Sequence, residues 1–154
     1  MTLLERDSHA PRAWEGILPV PSRYTFGLGG ERFFRALKNE GTIYGSQCTN
    51  CNQTYVPATI FCERCLRETD NWIDVGTKGS LHTYTLLSVD YDGNHLDQPE
   101  IVAFVQIGDG GLIHRLGEIS PDDINIGMSL EAVLKPKDQR EGSILDIEYF
   151  RPTE

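Results

Sequence analysis

Residues 48–65 read CTNCNQTYVPATIFCERC. This stretch contains two Cys-x-x-Cys pairs, Cys48/Cys51 and Cys62/Cys65, separated by ten residues. Each pair forms a tight turn that directs two thiolates towards one centre, and two such turns supply the four ligands of a tetrahedral zinc site. Because four cysteine ligands leave no position for water or substrate, we predict that the zinc is structural and not catalytic.

Other chemistries use similar cysteine patterns. Rubredoxin-like iron takes the same four-cysteine ligand set, and two redox disulfides are a further alternative. A thioredoxin-type dithiol is disfavoured, because it requires a Cys-x-x-Cys at a helix start within a βαβ unit. We expect the metal to hold together a segment that is too small to fold alone.

The composition limits the class of protein. The chain has 154 residues, of which 39% are hydrophobic, and 14 basic against 23 acidic residues give a net charge of -9. One compact core plus a small module fits this length. The acidic balance argues against a nucleic-acid partner, which requires a basic surface. With no apolar run near the roughly 20 residues that cross a bilayer, and no signal-peptide pattern, we expect a cytoplasmic protein without membrane contact.

The sequence before the cysteines divides into an arm and a helix. Residues 1–29 contain three prolines without a sustained hydrophobic period, which predicts an extended arm. The spacing of Phe33, Phe34 and Leu37 predicts a short amphipathic helix at residues 31–39, with Gly41 as its C-terminal cap. We interpret the glycine-rich residues 27–30 as a flexible bend, since Glu31 disfavours a phosphate site there. Residues 1–38 carry a net charge of +2, and the remainder carries -11.

The sequence after the cysteines is typical of a small β domain. A single helical turn is predicted at Ser120-Pro121, between the third and fourth of five strand-like runs. The runs lie at residues 79–90, 101–107, 112–119, 129–135 and 144–150. Together these features predict a mainly β fold that ends in a closed, five-stranded oligonucleotide/oligosaccharide-binding (OB-fold) barrel. We expect an N-terminal arm and helix at residues 1–45, a zinc ribbon at 46–70 and the OB-fold at 71–154.

We find no catalytic constellation in the sequence. His82, His95 and His114 are scattered over the β region, and no His-Glu-x-x-His motif occurs. The four cysteines are already assigned to the metal. We therefore predict that the chain has no catalytic residue of its own.

The order of the motifs resembles a known family. The helix and the cysteine pairs are followed by GSLHTYT at residues 79–85, GLIHRLG at 111–117, IGM at 126–128 and ILDIEYFRP at 144–152. This combination resembles the acyl-CoA-associated family with a rubredoxin-like zinc ribbon and an OB-fold. It is similar to the branch found beside archaeal thiolase and HMG-CoA synthase. It is also similar to the small subunit of the anaerobic toluene-pathway thiolase and to the partner of thiolase-like steroid side-chain aldolases.

The resemblance implies a non-catalytic accessory subunit in a hetero-oligomer. Such a subunit would dock on a thiolase-fold catalytic subunit, of a thiolase, acyltransferase or aldolase complex, and help to shape its acyl-CoA site. Zinc would be structural, and acyl-CoA would be shared with the partner. We expect the contacts with acyl-CoA or the partner to involve Tyr24, Phe26, Arg32 and Phe33. The alternatives are a free-standing acyl-CoA or acyl-carrier binding module, and an enzyme that acts alone.

Overall fold

The computed structural model describes residues 24–69, 71–90 and 92–153. These residues contain one helix, eight strands and three single 3-10 turns. The helix and strands are α1 Gly27–Asn39, β1 Ile43–Gln47, β2 Thr54–Tyr55, β3 Asn71–Gly76, β4 Lys78–Val89, β5 His95–Ile107, β6 Gly110–Arg115, β7 Ser129–Leu134 and β8 Ile147–Pro152; the 3-10 turns are Pro121–Asp123, Lys137–Gln139 and Ile144–Asp146. The predicted arm lies outside the described residues up to position 23.

The strands form two antiparallel sheets. The smaller sheet has the order β2-β1-β3, and the larger has the order β6-β5-β4-β7-β8. All pairings within the two sheets are antiparallel. The mainly β fold, with a zinc-ribbon module before a five-stranded sheet, is therefore as predicted. The three proposed domain boundaries stay predictions.

The larger sheet is not closed into a barrel, which corrects the sequence prediction. Within the described residues, β6 and β8 approach each other at one parallel bridge between Leu116 and Phe150, where the Gly117 N–H donates to the Phe150 carbonyl at 2.9 Å. Glu118 then adopts a left-handed backbone conformation with φ +56°. This left-handed residue interrupts the extended backbone directly after the single pair. The predicted third strand consequently ends at Arg115.

Helix α1 begins one turn earlier than predicted. The glycine-rich segment that we interpreted as a flexible bend forms its first turn. Gly29 lies against the cysteine-bearing loop so closely that a Cβ would stand 2.5 Å from the Ala58 carbonyl oxygen. The helix ends as expected, because Gly41 has a left-handed φ of +73° and donates its N–H to the Ala36 carbonyl at 2.9 Å.

One apolar core joins α1 and β1 to the larger sheet. Its most buried large side chains are Phe33, Leu37, Ile43, Leu81, Val105, Leu130, Ile147 and Phe150. Burying an aliphatic or aromatic side chain of this size contributes about 1.5–3 kcal/mol, so the helix is held by packing more than by its own propensity. The core thereby fixes the orientation of the outward face of α1.

A buried carboxylate holds the loop before β8. Asp146 is 0% exposed, and its two oxygens accept backbone N–H groups from Glu141, Gly142 and Ser143 at 2.9, 2.7 and 3.2 Å. Burial by itself raises the pKa of Asp146, but the three backbone donors outweigh it, and the net direction is downward. The predicted strand at 144–150 starts later because this capped turn occupies its first residues.

We predict that Asp146→Asn destabilises the protein by about 2 kcal/mol, because the amide nitrogen cannot accept the N–H groups that a carboxylate oxygen accepts. Urea unfolding at pH 7 measures this change. Since the folded pKa of Asp146 is lowered, its stabilising contribution is present above the unfolded value near 3.9 and is lost as pH falls through the folded pKa.

Asp122→Asn is the matched control, because Asp122 is exposed in the Pro121–Asp123 turn. We expect that control to change stability by less than about 0.5 kcal/mol. Equal stability of the two variants would show that the buried carboxylate does not hold the loop.

Candidate metal centre and helix–ribbon surface

The two cysteine pairs adopt the same local structure. The N–H of Cys48 donates to the Gln53 carbonyl, and the N–H of Cys62 donates to the Arg67 carbonyl, each five residues ahead. Four residues after the first cysteine of each pair, Asn52 and Leu66 have left-handed φ values of 58° and 55°. These backbone turns direct the sulfurs of both pairs towards one point.

The four sulfurs are close enough to bind one metal ion. All four Sγ atoms lie within 4.8 Å of one another, and those of Cys51 and Cys62 are 3.6 Å apart. A tetrahedral zinc ion with Zn–S bonds near 2.3 Å requires sulfur separations of about 3.8 Å. Cys48 and Cys62 are buried, and Cys51 and Cys65 are half-buried. The donor set and the spacing fit a closed zinc site.

Neighbouring groups stabilise the sulfurs. The amide of Asn50 donates to Cys65 Sγ at 3.2 Å, and the Tyr55 hydroxyl lies 3.3 Å from Cys62 Sγ. The same hydroxyl accepts the Glu63 N–H at 2.9 Å, which leaves its proton free to point at the sulfur. The Tyr55 hydrogen bond is the main reason that the pKa of Cys62 is lowered to about 6.

The thiols otherwise compete for protons. A backbone N–H bond from Gln53 lowers the pKa of Cys51, but hydrogen bonds with Cys65, Cys62 and Cys48, together with burial, raise it to about 12. A divalent metal ion is needed to deprotonate all four groups together. Sequence reasoning had not identified Asn50 and Tyr55 as sulfur donors, because their roles depend on the loop conformation.

A second feature is an apolar surface around the start of α1. Leu28 of α1 and Phe61 of the metal-binding loop line one groove, and the exposed Tyr24, Phe26 and Leu66 lie near them in sequence. We call this set of five residues the helix–ribbon surface. Each of these side chains is more than half exposed, with Tyr24 at 89% and Leu66 at 84%. The metal-binding loop therefore contributes part of the same apolar surface as the helix.

A groove of about 270 Å³ runs through this surface between α1 and the metal-binding loop. The Arg32 guanidinium carbon lies 4.5 Å from the centroid of the Trp72 ring, in a cation–π arrangement. The other lining residues are Leu28, Ile60, Phe61, Glu68 and Thr69. The sequence analysis did not single out Trp72, because it lies on β3, which carries no clear strand pattern.

The four residues predicted to contact acyl-CoA or a partner have different environments. Tyr24 and Phe26 are exposed on the helix–ribbon surface, and Arg32 lines its groove. Phe33 is only 1% exposed and belongs to the core, so it is not available to an external ligand. Its neighbour Phe34 packs against Phe26, with ring centroids 4.6 Å apart.

The histidines have structural surroundings in the described part of the chain. His114 is buried beside Phe150, and burial is the main reason that its pKa is lowered. His82 packs edge-on against Phe104. Among the described residues, no helix is long and apolar enough to cross a membrane.

We predict that Cys62→Ser loses the metal and unfolds the cysteine-bearing sheet, because three sulfurs and a hydroxyl cannot complete the site. Elemental analysis should fall from one zinc per chain to none, and the near-ultraviolet circular dichroism of Trp72 should be lost. Tyr55→Phe is the matched control, because it removes the hydroxyl's hydrogen bonds with Cys62 Sγ and with the Glu63 N–H but leaves all four sulfurs in place. It should retain zinc at a cost of about 1 kcal/mol. A folded, soluble and metal-free Cys62→Ser protein would contradict a structural role.

Comparison with known proteins identifies both modules. Residues 35–70 match the ChsH2 rubredoxin-like zinc ribbon domain, and residues 72–135 match the ChsH2 C-terminal OB-fold domain. A DUF35 domain-containing scaffold protein from Methanocaldococcus jannaschii is 28% identical over 127 residues, which cover 80% of this chain and 90% of that protein. Its counterpart from Methanothermobacter thermautotrophicus is 26% identical over 125 residues, with coverages of 79% and 94%.

Two solved structures share this fold. A DUF35-family protein of unknown function from Sulfolobus solfataricus superposes with a TM-score of 0.64 at 24% identity, over 82% of this chain and 87% of that one. The Ltp2-ChsH2(DUF35) aldolase gives 0.59 at 22% identity, over 84% of this chain and 98% of the matched one. The predicted resemblance is confirmed: the chain contains a ChsH2-type rubredoxin-like zinc ribbon followed by a ChsH2-type OB-fold domain.

Proposed function

We propose that this protein is a non-catalytic scaffold subunit of a thiolase-type acyl-CoA enzyme complex, and that its helix–ribbon surface docks on the catalytic subunit. The observation that carries the proposal is the cluster of exposed apolar side chains on that surface. Exposed apolar side chains grouped in this way mark interaction sites in soluble proteins. The chain is rich in charged residues, with 14 basic and 23 acidic side chains. A surface that only faced water would be expected to carry some of them in place of these apolar side chains.

The zinc ribbon prepares this surface for binding. Phe61 precedes the second cysteine pair directly, and Leu66 follows it, so the metal fixes the backbone that presents both side chains. A surface that is already ordered loses less conformational entropy on association. Zinc therefore acts in the proposed function as a structural element, and the catalytic subunit supplies the reacting groups.

The groove is suited to part of an acyl-CoA molecule. Its volume of about 270 Å³ lies at the lower limit for sites that enclose small organic ligands, which start near 300 Å³. Apolar walls suit an acyl or pantetheine chain, while the acidic remainder of the protein is a poor host for the phosphates of coenzyme A. We therefore infer a shared acyl-CoA site in which the partner binds the phosphates.

The relatives support this proposal. Two of them are named scaffold proteins, and one structural neighbour is a chain of the Ltp2-ChsH2(DUF35) aldolase. Four free thiols that converge on one metal site also suit a reducing cytoplasm. The alternative, a free-standing acyl-CoA or acyl-carrier binding module, is less well supported because the groove is too small for a whole CoA ester.

We predict that the tagged chain, purified from its native host, carries a stoichiometric thiolase-like subunit that mass spectrometry identifies. Leu28→Glu should weaken this association at least tenfold, because it places a charge at the centre of the apolar surface. Ile126→Glu is the matched control, since Ile126 is also exposed but lies outside the helix–ribbon surface. The control should bind like the wild type.

A lone protein, recovered at low salt with a CoA ester present, would contradict the scaffold role. Tight and saturable binding of a CoA ester by the isolated chain would instead favour the free-standing module. Equal binding by both glutamate variants would leave the scaffold role intact and place the docking site elsewhere.

A further inference from the structure

Within the described residues, the β-hairpin formed by β4 and β5 has an edge without a strand partner. Only Lys78, Gly79 and Ser80 of β4 pair with β7, and Leu81 then exchanges hydrogen bonds with residues 127 and 128. From residue 82 to residue 89, the described part of the chain provides no strand beside β4 on the side opposite β5. The outward N–H and C=O groups of this segment can therefore receive a further strand.

The segment lacks the side chains with which soluble proteins usually protect such edges. Residues 82–89 read HTYTLLSV, and all of them are exposed. They include no lysine, no carboxylate, no proline and no glycine, although 24% of the whole chain is charged. Threonine, tyrosine and leucine pack well on a pleated surface. An uncharged and exposed edge of this kind is a template for pairing between chains.

The regular part of the edge is centred on one residue. Thr83, Tyr84, Thr85, Leu86 and Leu87 pair with β5 in an unbroken register, and irregularities lie between Leu81 and Thr83 and between Leu87 and Val89. Thr85 is the middle of this run. The irregularities at both ends bend the hairpin away from the plane of residues 83–87. Pairing with a further strand is therefore limited to these five residues.

We propose that a second copy of this chain pairs with β4 in antiparallel fashion, about a two-fold axis at Thr85. Tyr84 then lies opposite the second copy's Leu86, and Thr83 lies opposite its Leu87. Aromatic–aliphatic cross-strand pairs of this kind are stabilising. Because a two-fold contact uses the same surface on both molecules, the assembly closes at a dimer.

The distribution of charge favours a second copy over a different protein. Two chains that each carry -9 repel each other unless they meet at an uncharged surface, and residues 82–89 provide one. The end of the hairpin carries three acidic groups, Asp90, Asp92 and Asp97, and all of them lie outside the paired run. In the dimer, the acidic groups of the two copies lie at opposite ends of the paired strands. An edge that binds a basic strand would carry carboxylates to pair with it. Residues 82–89 include no carboxylate.

The size of the contact sets its strength. Five paired residues span about 17 Å at 3.4 Å per residue, which is a small interface. We therefore expect a dissociation constant in the micromolar range. Salt should strengthen the dimer, because it screens the repulsion between the acidic bodies and leaves the uncharged contact unchanged.

Analytical ultracentrifugation of the zinc-loaded full chain tests the proposal. Between about 1 and 200 µM, the mass should rise from 17.3 kDa towards twice that value, and the transition should shift to lower concentration when NaCl is raised. Hydrogen–deuterium exchange should show concentration-dependent protection of amides within residues 82–89.

Charge-swap variants give a matched control. Thr85→Lys and Thr85→Glu each place like charges at the two-fold axis, and each alone should raise the dissociation constant at least tenfold. An equimolar mixture should restore dimers, because lysine then faces glutamate. Ile113→Lys should dimerise like the wild type, since Ile113 is 71% exposed on β6, at the other edge of the sheet.

The proposal is overturned if the wild type stays monomeric at 200 µM in high salt. It is equally overturned if dimers persist in Thr85→Lys, or if residues 82–89 become protected only when another protein is bound. None of these outcomes bears on the scaffold role, which is tested through the helix–ribbon surface.

Discussion

The convergence of four cysteine sulfurs is the constraint on which the rest of the functional surface depends. The sheet beside them is small, since β2 has two residues and β1 has five. Such a sheet buries too little apolar surface to be stable without a further link. Ser46 adds one link by bonding to both the N–H and the carbonyl of Thr59, and Gly29 of α1 packs on the preceding Ala58. Metal, sheet and helix therefore form one unit.

The sequence predicted the elements that have a strong local signal. Cysteine spacing identified the metal site, hydrophobic periodicity identified α1, and alternation identified the strands of the larger sheet. The small sheet was missed because β1 has buried residues on both faces and β2 is very short. The first turn of α1 was missed because glycine there serves close packing, at Gly29, and not flexibility.

Long-range geometry explains the other differences. The open larger sheet depends on the left-handed conformation of Glu118, which no pattern in the sequence indicates. Phe33 and Phe34 look alike in sequence, yet the helix phase buries Phe33 in the core and leaves Phe34 beside Phe26 at the surface. The pairing of Arg32 with Trp72 joins α1 to β3 across 40 residues of chain. Tertiary packing therefore decides which predicted site residues reach the surface.

The central claim is that the zinc-ordered helix–ribbon surface is where the catalytic subunit binds. Hydrogen–deuterium exchange of this chain, alone and in its native complex, tests that claim most directly. The account predicts slower exchange on complex formation in residues 26–34 and 59–68. Unchanged exchange there, with slower exchange confined to β7 and β8, would contradict it.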